Sequence, residues 1–302
     1  MKTIKKISII LAVVFFVSLI MSILTGLMQL FPGFESASIN QSESLPQNGI
    51  EKLDINLLDT QLNVHSIKGQ NLEFNLTGTY AKNQYNNSIK LFVERIDNTA
   101  KVEISYPPKL IIINRQLHLD VGVPEDYQGD FEITTASGNI YFLNINAKRI
   151  EVKSASGNIN LINSSCTNLI SKSASGNVFL NEVNASESSY TETISGNVKI
   201  KNLATEYSEF KSVSGKISIE NSTKINSAET TSGNIDIENA EITYELSIKS
   251  ISGNINLDAK DNSSIDLKFE SISGNLENSF GNIYNGRNKV YVKTTSGDFI
   301  IY

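Results

Sequence analysis

Between Ser137 and Asp298 the chain writes Ser-Gly followed by Asn, Lys or Asp nine times, and an apolar residue stands two places after every one of the glycines. The glycines are Gly138, Gly157, Gly176, Gly196, Gly215, Gly233, Gly253, Gly274 and Gly297, with successive spacings of 19, 19, 20, 19, 18, 20, 21 and 23 residues. One turn signal per fixed period of about 20 residues is the pattern of a solenoid, in which each unit can bury its apolar face only against its neighbours.

The unit itself reads as strand, tight turn, strand, polar loop. Two and four places after the glycine stand pairs such as Ile159 and Leu161, Val198 and Ile200, Ile235 and Ile237, usually with a polar residue between them. That period-two alternation marks a strand with one buried face. Seven and five places before the glycine stand Ile150 and Val152, Leu246 and Ile248, Leu267 and Phe269, Val290 and Val292. In the middle repeats Tyr190 and Phe210 carry the apolar load of that first strand.

The turn chemistry predicts that the nine glycines supply positive φ, with Asn139, Asn158, Asn177, Asn197, Asn234, Asn254 and Asn275 as structural partners in the same turns. Stacked turns would bring these asparagines into a column at the strand spacing, about 4.8 Å, where side-chain amides can form a ladder. Lys216 and Asp298 stand in that column and should interrupt it. Nine equivalent Ser-Gly copies argue for structure rather than for nucleophiles, and none sits in a Gly-x-Ser-x-Gly elbow. The last motif runs to Phe299-Ile300-Ile301-Tyr302 with no polar capping segment after it. An uncovered strand edge invites pairing, so this C-terminal edge is expected to associate end to end or to take up a partner strand.

Lys2, Lys5 and Lys6 precede 25 uncharged residues, Ile7 to Phe31, which Pro32 and Gly33 end. That length spans a hydrocarbon core of about 30 Å as a helix, and the flanking lysines place the N-terminus in the cytoplasm with everything after Phe31 outside. A cleaved signal peptide is the competing reading, although its apolar region is usually about 7–15 residues. Residues 1–34 are thus the cytoplasmic tip and transmembrane anchor, and 35–49, rich in Ser, Asn, Gln and Glu, read as a flexible linker. Residues 50–128 lack the repeat but alternate as strands at Leu53 to Leu57, Leu72 to Leu76 and Leu117 to Val123, giving an irregular β region or cap. Residues 129–302 form the repeat solenoid. The fold class is therefore all-β: a β-helix-like solenoid of about nine coils, preceded by irregular β structure and one transmembrane helix.

Outside the first 34 residues, 23 basic and 32 acidic side chains remain, a net of −9. Such an acidic exterior repels phosphate backbones, which argues against nucleic-acid binding. Cys166 is the only cysteine, so no intramolecular disulfide forms, and it reads as a small semi-buried residue rather than a reactive thiol. His65 and His118 are the only histidines, too few with one cysteine for the usual zinc site, and no cofactor motif appears. His118 reads as an outer-face strand residue. Asp236 and Glu238 share one strand face at a spacing a glycosidase could use, but so do carboxylates on many solvated strands. Tyr141 and Phe179 are the aromatics on the outward row after the turn, where they could stack on sugar rings or simply be exposed aromatics on a sheet.

The run Leu119-Asp120-Val121-Gly122-Val123-Pro124, followed by Phe131-Glu132-Ile133-Thr134-Thr135-Ala136-Ser137-Gly138-Asn139-Ile140, resembles the signature of the bacterial putative-adhesin β-repeat family, a domain of unknown function that includes LiaG-like membrane proteins. The resemblance covers residues 50–302. It implies a β-solenoid displayed at the cell envelope and supplies no catalytic or ligand residues. The expected function is a non-enzymatic, membrane-anchored, extracytoplasmic adhesin-like or scaffold module with a cell-wall polymer or envelope protein as partner. The alternatives are a membrane-bound regulator of envelope stress acting through a protein partner, and a polysaccharide-active β-helix enzyme.

Overall fold

The computed structural model describes residues 35–82, 89–106, 115–240, 242, 245–259, 265–279 and 286–302. The expected transmembrane span, 7–31, lies outside the described residues; among those described, no helix is long and apolar enough to cross a membrane. The described structure is all β. In chain order the strands are β1 Glu35–Pro46, β2 Lys52–Leu57, β3 Gln61–Ile67, β4 Asn71–Lys82, β5 Lys90–Ile96, β6 Thr99–Ser105, β7 Arg115–Pro124, β8 Asp130–Thr135, β9 Ile140–Leu143, β10 Arg149–Ser154, β11 Ile159–Ser173 and β12 Val178–Thr193. They continue as β13 Val198–Thr205, β14 Ser208–Ser212, β15 Ile217–Glu220, β16 Ile225–Thr230, β17 Ile235–Ala240, β18 Glu245–Ser250, β19 Ile255–Ala259, β20 Ile265–Ser271, β21 Leu276–Asn278, β22 Asn288–Thr294 and β23 Phe299–Ile301.

Parallel pairing stacks these strands into two faces. The leading face, made by strands that run into the Ser-Gly turns, has the order β6, β2, β8, β10, second half of β11, second half of β12, β14, β16, β18, β22, β20. The trailing face, made by strands that leave the turns, runs β7, β3, β9, first half of β11, first half of β12, β13, β15, β17, β19, β23, β21. One hydrophobic cluster fills the space between the faces from Leu53 to Ile301. Edge-on ring pairs Tyr127–Phe131 and Phe131–Phe142, with centroids 5.6 and 5.5 Å apart, pack its N-terminal part. Each fully buried Ile, Leu or Phe contributes on the order of 1.5–3 kcal/mol.

Spatial order departs from sequence order at both ends. The coil β2–β3, first in the chain, lies between β6–β7 and β8–β9. The coil β22–β23, last in the chain, lies between β18–β19 and β20–β21. The C-terminal strand is therefore interior. The expectation that Phe299–Tyr302 forms the open edge is corrected: that edge belongs to β20 and β21.

Residues 35–49, read as a linker, are also corrected: 35–46 form β1, antiparallel to β4, which is in turn antiparallel to β7. Strong side-chain polarity hides an edge strand whose Ile39 is buried and whose Ala37 and Leu45 pack on the core. On the other face β5 pairs antiparallel with β6. Gln41 of β1 ties the two caps together, donating through Nε2 to Ile89 O at 3.0 Å and accepting from Leu91 N at 2.7 Å. Beneath the caps the guanidinium of Arg115 pairs with Asp59 and lies 4.2 Å from the Tyr106 ring centroid.

Candidate functional site

The Ser-Gly turns form one continuous column, and its chemistry explains the motif. None of the nine motif glycines has a positive φ; among the described glycines only Gly49, Gly69 and Gly78 do. The expectation of left-handed turns is wrong, and the reason for glycine is steric. A Cβ on Gly196 would lie 2.0 Å from Gly176 O, and one on Gly215 would lie 1.7 Å from Gly196 O. Every coil rests its turn on the carbonyl of the coil before it, closer than any side chain permits. The order of contact reads Gly233, Gly253, Gly297, Gly274, which repeats the inserted last coil.

A hydroxyl three places before each glycine locks the column. Each of Thr135, Ser154, Ser173, Thr193, Ser212, Thr230, Ser250, Ser271 and Thr294 accepts from its own glycine N–H at 2.7–3.1 Å. Ser173, Thr193 and Ser212 also donate to the preceding coil's glycine carbonyl, each at 3.2 Å. These buried hydroxyls satisfy backbone groups that the tight turn would otherwise leave unpaired. The signal was in the sequence, since all nine repeats carry Ser or Thr at that place.

The asparagines do form a ladder, of a different kind from an amide–amide column. Each Oδ1 accepts from the backbone N–H of the next coil: Asn158 N to Asn139, Asn177 N to Asn158, Asn197 N to Asn177 and Lys216 N to Asn197, at 2.8–2.9 Å. Lysine has no acceptor, so the row breaks after Lys216. It resumes from Asn234 to Asn254 and Asp298. Asp298 was expected to interrupt the ladder; its carboxylate oxygen instead accepts from Asn275 N at 2.8 Å and serves as well as an amide.

A second corner, six residues after the glycine, went unread. Asn144, Asn163, Glu182, Asn202, Asn221 and Asn239 all adopt left-handed φ of 48–56°. Asparagine tolerates that region best after glycine, and its recurrence there is the missed signal.

The chemistry-bearing candidates do not converge. Asp236 pairs with Lys216 and accepts from Asn256 Nδ2 at 2.6 Å. His65 and His118 face outward from β3 and β7, partly exposed. Among the described residues no group of three or more His, Cys, Asp and Glu could hold a metal ion. Cys166 is buried on the inner side of β11, where desolvation pushes its thiol up to about 12 and favours the neutral form.

The outer faces carry what remains. On the trailing face Tyr141, Asn160 and Phe179 occupy one row on adjacent strands, followed by Lys199. Tyr141 is 36% exposed. Phe179 is half-buried, with the Lys199 ammonium 5.8 Å from its ring centroid. Leu143, exposed in the next row, extends the apolar strip. On the leading face Tyr190 points outward, not into the core as the sequence suggested. Lys172 and Lys211 flank its ring at 4.7 and 5.5 Å, and its hydroxyl donates to Glu192 at 2.9 Å. The inward places of that coil are held by buried Ser189 and Thr191, the latter 2.8 Å from Ser171 Oγ. Around Tyr190 runs a ladder of opposite charges, Lys172–Glu192, Lys211–Glu209 and Lys249–Glu229 among them. Exposed pairs of this kind stabilise little.

Stacked parallel coils, one glycine column and a shared turn ladder define a parallel β-solenoid. The chain belongs to the family described as Toastrack DUF4097, whose profile matches residues 50–302. No curated protein matches it. Solved structures similar to it include a putative adhesin from Parabacteroides distasonis, 10% identical over 74% of this chain and 97% of that one, with a TM-score of 0.47. A putative adhesin from Bacteroides fragilis is 14% identical over 88% and 97%, with a TM-score of 0.45. A putative cell adhesion protein from Clostridium sporogenes is 16% identical over 88% and 99%, with a TM-score of 0.29.

Proposed function

We propose that this is a non-enzymatic display protein of the cell envelope, held in the membrane by residues 7–31 with its lysine-bearing N-terminus in the cytoplasm. Its solenoid presents an adhesin-like surface outside. The observation that carries this reading is the use of the turn's buried groups for stacking: the hydroxyl three places before each glycine, the asparagine oxygens and the glycine backbone bind neighbouring turns, while the serine beside each glycine stays exposed as one more group of the outer surface. Recognition then falls to the outer faces. The Tyr141–Asn160–Phe179 row sets two aromatics two strands apart, about 10 Å at the usual strand spacing. Flanking amides and a lysine make it suited to sugar rings of a surface polymer, which bind by stacking and hydrogen bonds.

The test is capture of wall glycan and teichoic polymer by the detergent-solubilised full chain, compared with Tyr141→Ala/Phe179→Ala. Polymer retained by the wild type and reduced about tenfold in the double variant, worth about 1.4 kcal/mol, supports this reading. Retention that ignores both aromatics contradicts the site. Recovery of one stoichiometric membrane protein without polymer would favour a regulator of envelope stress instead.

A further inference from the structure

The two ends of the solenoid are unlike. One is sealed by β1, β4 and β5, with Gln41 tying the caps together. At the other, β20 and β21 each pair on one side only among the described strands. A position that is core in every other coil comes to the surface there, and a corner position gains further exposure. Leu276 is 41% exposed, whereas its counterparts Ile255 and Phe299 are fully buried. Ile272 is 84% exposed, whereas Ile194, Val213 and Ile251 at the same place in interior coils are 53, 45 and 52% exposed. The excess is the area a further layer would cover. A bare end of this kind is what solenoids ordinarily cap.

We propose that the missing layer is a second copy of this chain, docked end to end about a two-fold axis with β20 antiparallel to β20 of the other copy. The strand sequence Ile265-Asp266-Leu267-Lys268-Phe269 selects this partner. Antiparallel pairing centred on Leu267 sets Lys268 of each copy opposite Asp266 of the other, and Ile265 opposite Phe269. Centring one residue further on would set Asp266 against Glu270, and like charges directly opposite are destabilising. Lys268 already holds Glu270 within its own strand at 2.8 Å, so the new pair shares an existing cation rather than burying a fresh one. A head-to-tail stack is not matched, because the sealed end offers antiparallel cap strands instead of a Ser-Gly column. The assembly is therefore closed and isologous, a dimer and not a fibre.

Two measurements on the detergent-solubilised full chain test this. In the first, Asp266→Cys and Lys268→Cys variants are mixed and mildly oxidised. A mixed disulfide several-fold more abundant than the homodisulfide of either variant alone is expected, and equal yields overturn the proposal. In the second, dimer dissociation is followed by sedimentation. Lys268→Glu should weaken the dimer about tenfold, and adding Asp266→Lys should restore it. A monomeric wild type, open-ended polymers, or a dimer indifferent to both changes would each overturn the proposal; the last would place the contact elsewhere, as in the apolar N-terminal segment. Both side chains point away from the core, so these variants test association without threatening the fold. The outcome is independent of any glycan bound at Tyr141 and Phe179.

Discussion

The backbone N–H of Asp298 donates to Asn254 Oδ1 at 3.1 Å across a separation of 44 residues, whereas the other coil-to-coil links of this ladder span 19 to 23 in the sequence. This is the local signature of the last coil's insertion beneath the one that precedes it in the chain. Asp298 then passes the ladder on to Asn275. Because either an amide or a carboxylate oxygen accepts, Asp298→Asn should leave thermal stability unchanged. Asp298→Lys removes the acceptor and should cost about 1 kcal/mol, the net worth of a typical hydrogen bond. Chemical denaturation of the two variants side by side checks this.

Gly196 separates a steric from a conformational role for the motif glycines. If positive φ were the requirement, asparagine would substitute with little loss. With a Cβ placed 2.0 Å from Gly176 O, Gly196→Ala and Gly196→Asn should be damaging alike, by about 3 kcal/mol or more. Lys199→Ser, on the exposed face of the following strand, should change the midpoint little. A tolerated Gly196→Asn would contradict the stacking account.

Glu182 occupies the left-handed corner that asparagine holds in the coils on both sides of it. A non-glycine residue in that conformation is strained by about 1 kcal/mol, less for asparagine, whose short polar side chain bonds locally. Glu182→Asn should therefore stabilise the protein by a few tenths to about 1 kcal/mol, read as a raised denaturant midpoint at unchanged slope.

Cys166 gives the alkaline limb of stability. Burial favours its neutral thiol and pushes the group up to about 12, whereas an unfolded thiol ionises near about 8.5. The contribution is fully present below about pH 8.5 and is lost as pH rises from there toward about 12, because only the unfolded chain then gains the thiolate. Tyr190, also pushed up to about 12 by burial and by Glu192, adds to the same limb in any variant that keeps it. Cys166→Ala should flatten the decline between about pH 9 and 11. The native thiol should resist alkylation until the protein unfolds.

Much of this architecture was legible because the repeat constrains it locally. Ile159, Leu161, Val198 and Ile200 face inward as their alternation demands, whereas Cys166, read as semi-buried in a loop between coils, is buried within β11. Tyr190 misled because an apolar ring was assigned to the core, when two flanking lysines make the outer face a good place for it. Gln41 lay in a polar run that gives no alternation to read, yet its amide closes the N-terminal cap. The inserted coil was hidden for a deeper reason. The carbonyl of Gly253 can receive any coil bearing the motif, so sequence similarity does not specify which one stacks next. Only the lengthened final spacings, 21 and 23 residues, hint that the chain must travel back over a coil. The outer rows proved readable by position but not by purpose, since exposure of Tyr141 follows from register while a binding role does not.

The inserted last coil is tested most directly by two engineered disulfides on the outer row of the trailing face. In the structure Ile300 pairs with Asn256 on one side and Glu277 on the other. Asn256 and Ile300 are then neighbours at about 4.8 Å, while Asn256 and Glu277 lie two strands apart, about 10 Å, beyond the roughly 7 Å limit between Cα atoms for a disulfide. Mild oxidation of Asn256→Cys/Ile300→Cys should give the cross-link, read by peptide mapping, and Asn256→Cys/Glu277→Cys should not. The reverse result, a 256–277 bond without a 256–300 bond, would mean that the coils stack in sequence order and would contradict the account.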